Sequence, residues 1–110
     1  MAAVKVVVLY PVPTDVNSFE QAYARDHSPM VTPENFKGLR KFNASKVVGT
    51  ADGSPAPFHR IAELHFPSME ALTAAASSAS GQRVVAHAMS ISSGGTPTFL
   101  VAAETTTNFE

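Results

Sequence analysis

The segment Phe19-x-x-x-Tyr23-x-x-x-His27-Ser28-Pro29 places an imidazole four residues after a phenol and eight after a phenyl ring. Steps of four along an α-helix advance only about 40° in azimuth, so the three rings form one stripe. Pro29 ends the helix just beyond the histidine. An unperturbed imidazole titrates near pH ~6.5, which suits His27 to proton transfer around neutrality as general acid or base, with Tyr23 orienting a substrate oxygen. The alternative is structural. A histidine in a last helical turn is favoured by the macrodipole and caps free carbonyls, while Phe19 and Tyr23 fill a core. Asp26 lies beside His27 in sequence, but neighbours on a helix point about 100° apart, so it reads as an exposed carboxylate and not as a dyad partner.

A second group of polar side chains lies on one strand. His59, Glu63 and His65 alternate onto one face of Phe58–Phe66. Residues four apart on a strand are about 13 Å apart, too far for His59 and Glu63 to share an ion. Glu63 and His65 are closer, about 6.6 Å between α-carbons, but two ligands do not make a site, so no metal is expected. Arg60, Glu63 or His65 either lines a cavity or makes a polar contact where two copies meet. Tyr10, at the end of an apolar run, faces a pocket mouth or is a half-buried strand-end tyrosine. Any of His27, His59, His65 and His87 has the chemistry of an axial haem ligand, yet nothing in the sequence marks one, so haem is the weakest of the alternatives. No glycine pattern follows a strand into a helix as in nucleotide loops, and Ser77, Ser78 and Ser80 lack a nucleophile-elbow context. No nucleotide cofactor and no serine hydrolase is expected.

The elements that must hold these residues follow the order βαββαβ. A strand over Ala3–Tyr10 is closed by Pro11 and Pro13. Asp15 or Asn17 caps the first helix, Asn17 and Glu20 having capping-box spacing, and that helix reaches His27. The segment Pro29–Gly38 leads to a strand over Leu39–Val48, then a turn region at Thr50–Pro57 and the strand Phe58–Phe66. Ser68 caps a second helix with an inner stripe of Met69, Leu72, Ala75 and Ala76; Gly81 interrupts it before a further helical segment, Gln82–Ala88. After a flexible Ser92–Pro97, the last strand is Thr98–Glu104, and the polar tail Thr105–Glu110 frays unless a partner holds it.

This is the ferredoxin-like α+β pattern, with both helices on one face of a four-stranded antiparallel sheet. The helix-free face has no cover of its own. The first strand nevertheless has Val4, Val6 and Val8 on one side and Val7 and Leu9 on the other, and the last sets Phe99, Val101 and Ala103 against Leu100 and Ala102. Apolar residues on both faces predict a homodimer packed through the open faces, with Val, Leu and Phe side chains from the first and last strands.

The 110 residues, 45% of them hydrophobic, read as one domain over residues 1–110. Eight basic residues against nine acidic, unclustered, argue against nucleic acid as a partner. No stretch approaches the ~20 apolar residues of a membrane span and Met1–Lys5 lacks signal-peptide features, so a soluble, cytoplasmic protein is expected. The absence of cysteine rules out disulfides, thiolate ligands and a cysteine nucleophile.

The helix motif, with Gly38-Leu39-Arg40-Lys41-Phe42, Ile61-Ala62-Glu63-Leu64-His65-Phe66 and Met69-Glu70-Ala71-Leu72 in this order, resembles the EthD family, named for ethyl tert-butyl ether degradation. The sequence departs from the family pattern at His65, where an aromatic such as tryptophan is usual, and at the blander Ala86-His87-Ala88-Met89-Ser90-Ile91. The resemblance implies a dimeric α/β barrel with a ligand-sized cavity between sheet and helices, in a superfamily that includes cofactor-free monooxygenases, haem-degrading oxygenases and isomerases. The expected ligand is a small, weakly polar organic molecule, with His27 and Tyr23 as catalytic candidates and Tyr10, Phe19, Glu63 and His65 as ligand-binding candidates. Two function classes follow: an enzyme acting on such a compound, of oxygenase, isomerase or decarboxylase type, or a non-enzymatic accessory or carrier for an oxidising system.

Overall fold

A computed structural model describes residues 3–109. Its elements are β1 (Val4–Pro11), α1 (Val16–Gln21), β2 (Lys41–Lys46), β3 (Phe58–Phe66), α2 (Met69–Ser77), α3 (Ala79–Ile91) and β4 (Thr98–Ala103). The strands form one sheet in the order β2-β3-β1-β4, every neighbouring pair antiparallel. This is the ferredoxin-like arrangement that the order of elements predicts.

Register assigns the two faces. Val6 pairs with Leu64 and Val101, and Val8 with Ala62 and Phe99. Directly opposed residues point the same way, so these side chains share the face that the helices cover. Val4, Val8, Tyr10, Ala62, Leu64 and Phe66 are buried there against Phe19, Tyr23, Leu72, Ala75, Val84 and Ala88. The opposite face carries Lys5, Val7 and Leu9 from β1, with Glu63 and His65 opposite Val7 and Lys5, and Leu100 opposite Val7 from β4. Its apolar members are therefore Val7, Leu9, Ile61, Leu100 and Ala102. Phe99, expected with the open-face residues, belongs instead to the helix-covered face, because it pairs with Val8.

The first helix does not run as one α-helix to His27. Asp15 caps it by accepting from Ser18 N at 3.1 Å, and after Gln21 the chain widens into a π-helical segment, Ala22–His27, whose next backbone N–H, Ser28, bonds back five residues to Tyr23 O. Pro29 has no N–H with which to extend that ladder, and the chain tightens into a 3-10 turn, Ser28–Met30, before leaving the helix. The expected capping-box partner, Glu20, is used elsewhere. α3 also begins earlier than expected. Ser78 accepts from Gly81 N at 3.0 Å, so Gly81 lies in the first turn of α3 and not in a break. A Cβ on Gly81 would lie 2.2 Å from Ala75 O and 3.2 Å from Phe36, which is how closely α3 approaches α2 here. The loop after the 3-10 turn is tied down by Asn35 Nδ2 to Met30 O and Ser80 Oγ to Asn35 O, both 2.8 Å, and this holds Phe36 and Val31 against the core. Thr105–Phe109 has no regular secondary structure.

Candidate functional site

Between the sheet and the helices lies a cavity of about 320 Å³. Val6 and Val8 of β1, Leu64 and Phe66 of β3, and Val84 and Ala88 of α3 give its walls their character. Tyr10 and His27 are the two lining residues with polar side chains. Ala76 of α2 and Val101 of β4, also in the lining, are solvent-exposed and mark the rim.

Both polar groups belong to one hydrogen-bonded line. Tyr10 Oη lies 3.4 Å from His27 Nε2, and His27 Nδ1 lies 3.0 Å from Nδ1 of His87 on α3. The His27 and His87 rings are nearly parallel, 8° between planes and 5.2 Å between centroids. Burial, with the nearby His87 adding to it, pushes the His27 pKa down to about 4, so the ring is neutral at pH 7. Burial pushes the Tyr10 phenol in the opposite direction, upward, so it keeps its proton. When Tyr10 donates, neutral His27 accepts at Nε2 and directs its Nδ1–H at His87; in the other His27 tautomer both directions reverse. The separation of 60 residues between the two histidines concealed this pairing from the sequence, where His87 sits in a bland run of alanine and serine.

Beneath His27 the aromatic stripe is present but plays a different part. Phe19 stacks on Tyr23 at 5.7 Å between centroids, Tyr23 lies 5.7 Å from His27, and Tyr10 meets both Phe19 and Tyr23 edge-on. Phe19 and Tyr23 are fully packed in the core and neither lines the cavity. The Tyr23 hydroxyl has no hydrogen-bond partner among the described residues. The phenol that reaches His27 is Tyr10, for which a pocket mouth and a half-buried strand end were the two expectations; it is fully buried in the cavity wall. Asp26 is exposed and lies 3.4 Å from Arg25, away from His27 chemistry.

The strand residues divide into two groups. A register shift between Tyr10 and Pro11 leaves His59 as an extra residue on β3. This corrects the expectation that His59 shares a face with Glu63 and His65: it turns to α1, where His59 Nε2 lies 2.9 Å from Glu20 and Arg60 makes a two-pronged contact to the same carboxylate at 2.7 and 3.0 Å. Arg60 also lies over the Tyr23 ring, 4.8 Å from its centroid. The Arg60 hydrogen bond, aided by His59, pulls the Glu20 carboxyl down to about 2. Glu63 and His65 do not line the cavity. On the open face, Lys5 Nζ lies 3.4 Å from Glu63 and 3.3 Å from Glu104, and His65 lies 3.4 Å from Glu63, all contacts within one chain. Among the described residues no three His, Asp or Glu side chains cluster in a metal-ligating group. Both nitrogens of His27 are engaged, and His59 and His65 lie against carboxylates. No helix among the described residues is long and apolar enough to cross a membrane.

A family model, described as the EthD domain, matches residues 13–90. The chain is 29% identical over 101 residues to an uncharacterized 11.0 kDa protein of Rhodococcus erythropolis from the thcB-thcC intergenic region, covering 92% of this chain and 95% of that one. Its fold superposes on an ethyl tert-butyl ether degradation (EthD) family protein of Bacillus halodurans with a TM-score of 0.83 and 26% identity, over 94% of this chain and 99% of that one. More distant likenesses are of fold alone. A dimeric ferredoxin-like protein from Jannaschia gives TM-score 0.66 at 18% identity over 94% and 99% of the chains. SnoaB of Streptomyces nogalater, a cofactor-independent oxygenase, gives 0.59 at 14% over 99% and 97%.

Proposed function

We propose that this chain, which belongs to the EthD family, binds a small, weakly polar organic molecule between its sheet and helices and directs the ligand's one polar group to Tyr10 and His27. One observation carries the reading: an otherwise apolar cavity of about 320 Å³ has its two polar lining side chains in contact with each other at 3.4 Å. Apolar walls with a few convergent polar groups are the usual construction of a small-molecule site. Walls without a lysine or arginine, and with a His27 that is neutral at pH 7, favour a neutral organic compound over a nucleotide or polyanion. The proposed chemistry is cofactor-independent, with His27 exchanging a proton with the ligand through Tyr10, in an oxidoreductase of monooxygenase type. The SnoaB fold likeness supports the compatibility of such chemistry with this architecture.

A second reading has its own support. Burial leaves His27 a weak base, and that favours an accessory or carrier that holds such a compound without converting it. The functional unit in either reading is a homodimer joined through the open sheet faces, where Val7, Leu9, Ile61 and Leu100 otherwise meet water; the dimeric Jannaschia fold relative accords with it. Thermal-shift and calorimetric titration with phenols, aromatic ketones, ethers and nucleotides tests the proposal. Phenols and ketones stabilise the protein and lose at least ten-fold in affinity in Tyr10→Phe or His27→Ala, while the protein remains dimeric by light scattering. Stabilisation by nucleotides alone overturns it.

A further inference from the structure

His87 lies outside the cavity lining, yet its Nδ1 contacts Nδ1 of the lining residue His27. Two imidazole nitrogens facing each other at 3.0 Å hold a single proton between neutral rings, so the tautomers are coupled: when His27 carries hydrogen on Nδ1, His87 carries it on Nε2, and the reverse. His87 is half-buried, and its Nε2 neither makes a hydrogen bond to the described residues nor belongs to the buried, unpartnered atoms, so it faces solvent. A continuous line of exchangeable positions thus runs from the interior of an apolar cavity to water.

We propose that Tyr10, His27 and His87 form a proton relay between the cavity and solvent, and that the ligand is correspondingly one with a weakly acidic hydroxyl, phenolic or enolic. This rests on the reading of the cavity as a ligand site. In the loaded direction the ligand O–H gives its proton to Tyr10 Oη, the Tyr10 proton moves to His27 Nε2, the His27 Nδ1 proton moves to His87 Nδ1, and the His87 Nε2 proton leaves to a buffer base. The ligand remains as an oxyanion hydrogen-bonded to Tyr10. Both histidines end neutral with exchanged tautomers, and no step requires a doubly charged histidine pair in the interior. Reprotonation from solvent runs the line backward and resets it. His87 is a positioning and relay residue, acting through His27.

The test uses two probes of matching shape. 4-Nitroanisole has no proton to give and reports binding alone; 4-nitrophenol reports ionisation by its phenolate absorbance, and a pH indicator in weak buffer reports the released proton in stopped flow. In the wild type both bind, and nitrophenolate appears together with proton release. In His87→Asn, which retains a hydrogen-bonding side chain but has no second ring nitrogen, the proton-release rate falls at least ten-fold while 4-nitroanisole affinity changes less than two-fold. Tyr10→Phe, cutting the line at its other end, gives the same slowing. Proton release at the wild-type rate in His87→Asn, or binding of 4-nitrophenol to the wild type with no proton release, overturns the relay and leaves the cavity reading standing. Failure of both probes to bind the wild type overturns the relay and the cavity reading together.

Discussion

Acidification below neutrality should destabilise this protein through His27, and the size of the effect follows from its burial. The residue is 4% exposed, and its pKa in the fold is pushed from 6.5 to about 4 by burial and by His87. The unfolded chain therefore binds a proton near pH 6.5 that the folded chain refuses until about pH 4. Stability is highest above 6.5 and falls between these values, at a limiting slope of about 1.4 kcal/mol per pH unit. From pH ~7 to pH ~5 the loss assigned to this one group is about 2 kcal/mol, a large part of a small domain's total. Urea unfolding of the wild type and of His27→Gln at those two pH values measures it. The glutamine does not titrate, so the variant's stability should change by about 2 kcal/mol less than the wild type's over the same interval. Parallel pH dependence in the two proteins refutes the argument, because it assigns the acid sensitivity to other groups.

Two further outcomes are expected. Glu20→Gln removes the carboxylate held by Arg60 and His59 and should cost about 1–2 kcal/mol at pH 7 after allowance for the site's partial exposure; because the Glu20 pKa is depressed, this difference shrinks as pH falls from 4.5 toward 2, as paired urea titrations would show. Gly81→Ala, which in an open helix gains up to about 1 kcal/mol, should here lose roughly 1–3 kcal/mol in thermal unfolding, because the added methyl meets Ala75 O and the Phe36 ring.

The fold was legible because its signals are local. The apolar run of β1, the branched and aromatic residues of β3, the prolines after β1 and the Ser68 cap each act over a few residues, and the observed order of elements along the chain follows from them. The departures arise where one element answers to another. The π-helical segment at Ala22–His27 and the bulge at His59 each change which way a side chain points, and neither leaves a mark in hydrophobic period. Gly81 looks like a helix breaker but serves a close helix contact. At the candidate site, the position before Pro29 singles out His27 in the sequence, while Tyr10 at the end of its strand is open there between a pocket and a packing role. Spacing puts Tyr23 one turn from His27, as the group to orient a substrate oxygen, yet the phenol meeting His27 comes from 17 residues away and the second imidazole from 60. Such pairings depend on how α1, α3 and β1 are brought together, and spacing along the chain does not encode that.

The proposed function requires that a small organic ligand with one polar group enter the cavity and meet Tyr10 and His27. The most direct measurement is an NMR titration of isotopically labelled protein with 4-ethylphenol, following the His27 imidazole and the methyl groups of Val8, Leu72 and Val84 on the cavity wall, with those of Val7, Leu9 and Leu100 on the opposite sheet face as the control. Saturable shifts are expected at His27 and the three cavity methyls, with little change on the opposite face. Saturable shifts confined to Val7, Leu9 and Leu100, or none at His27, would contradict it.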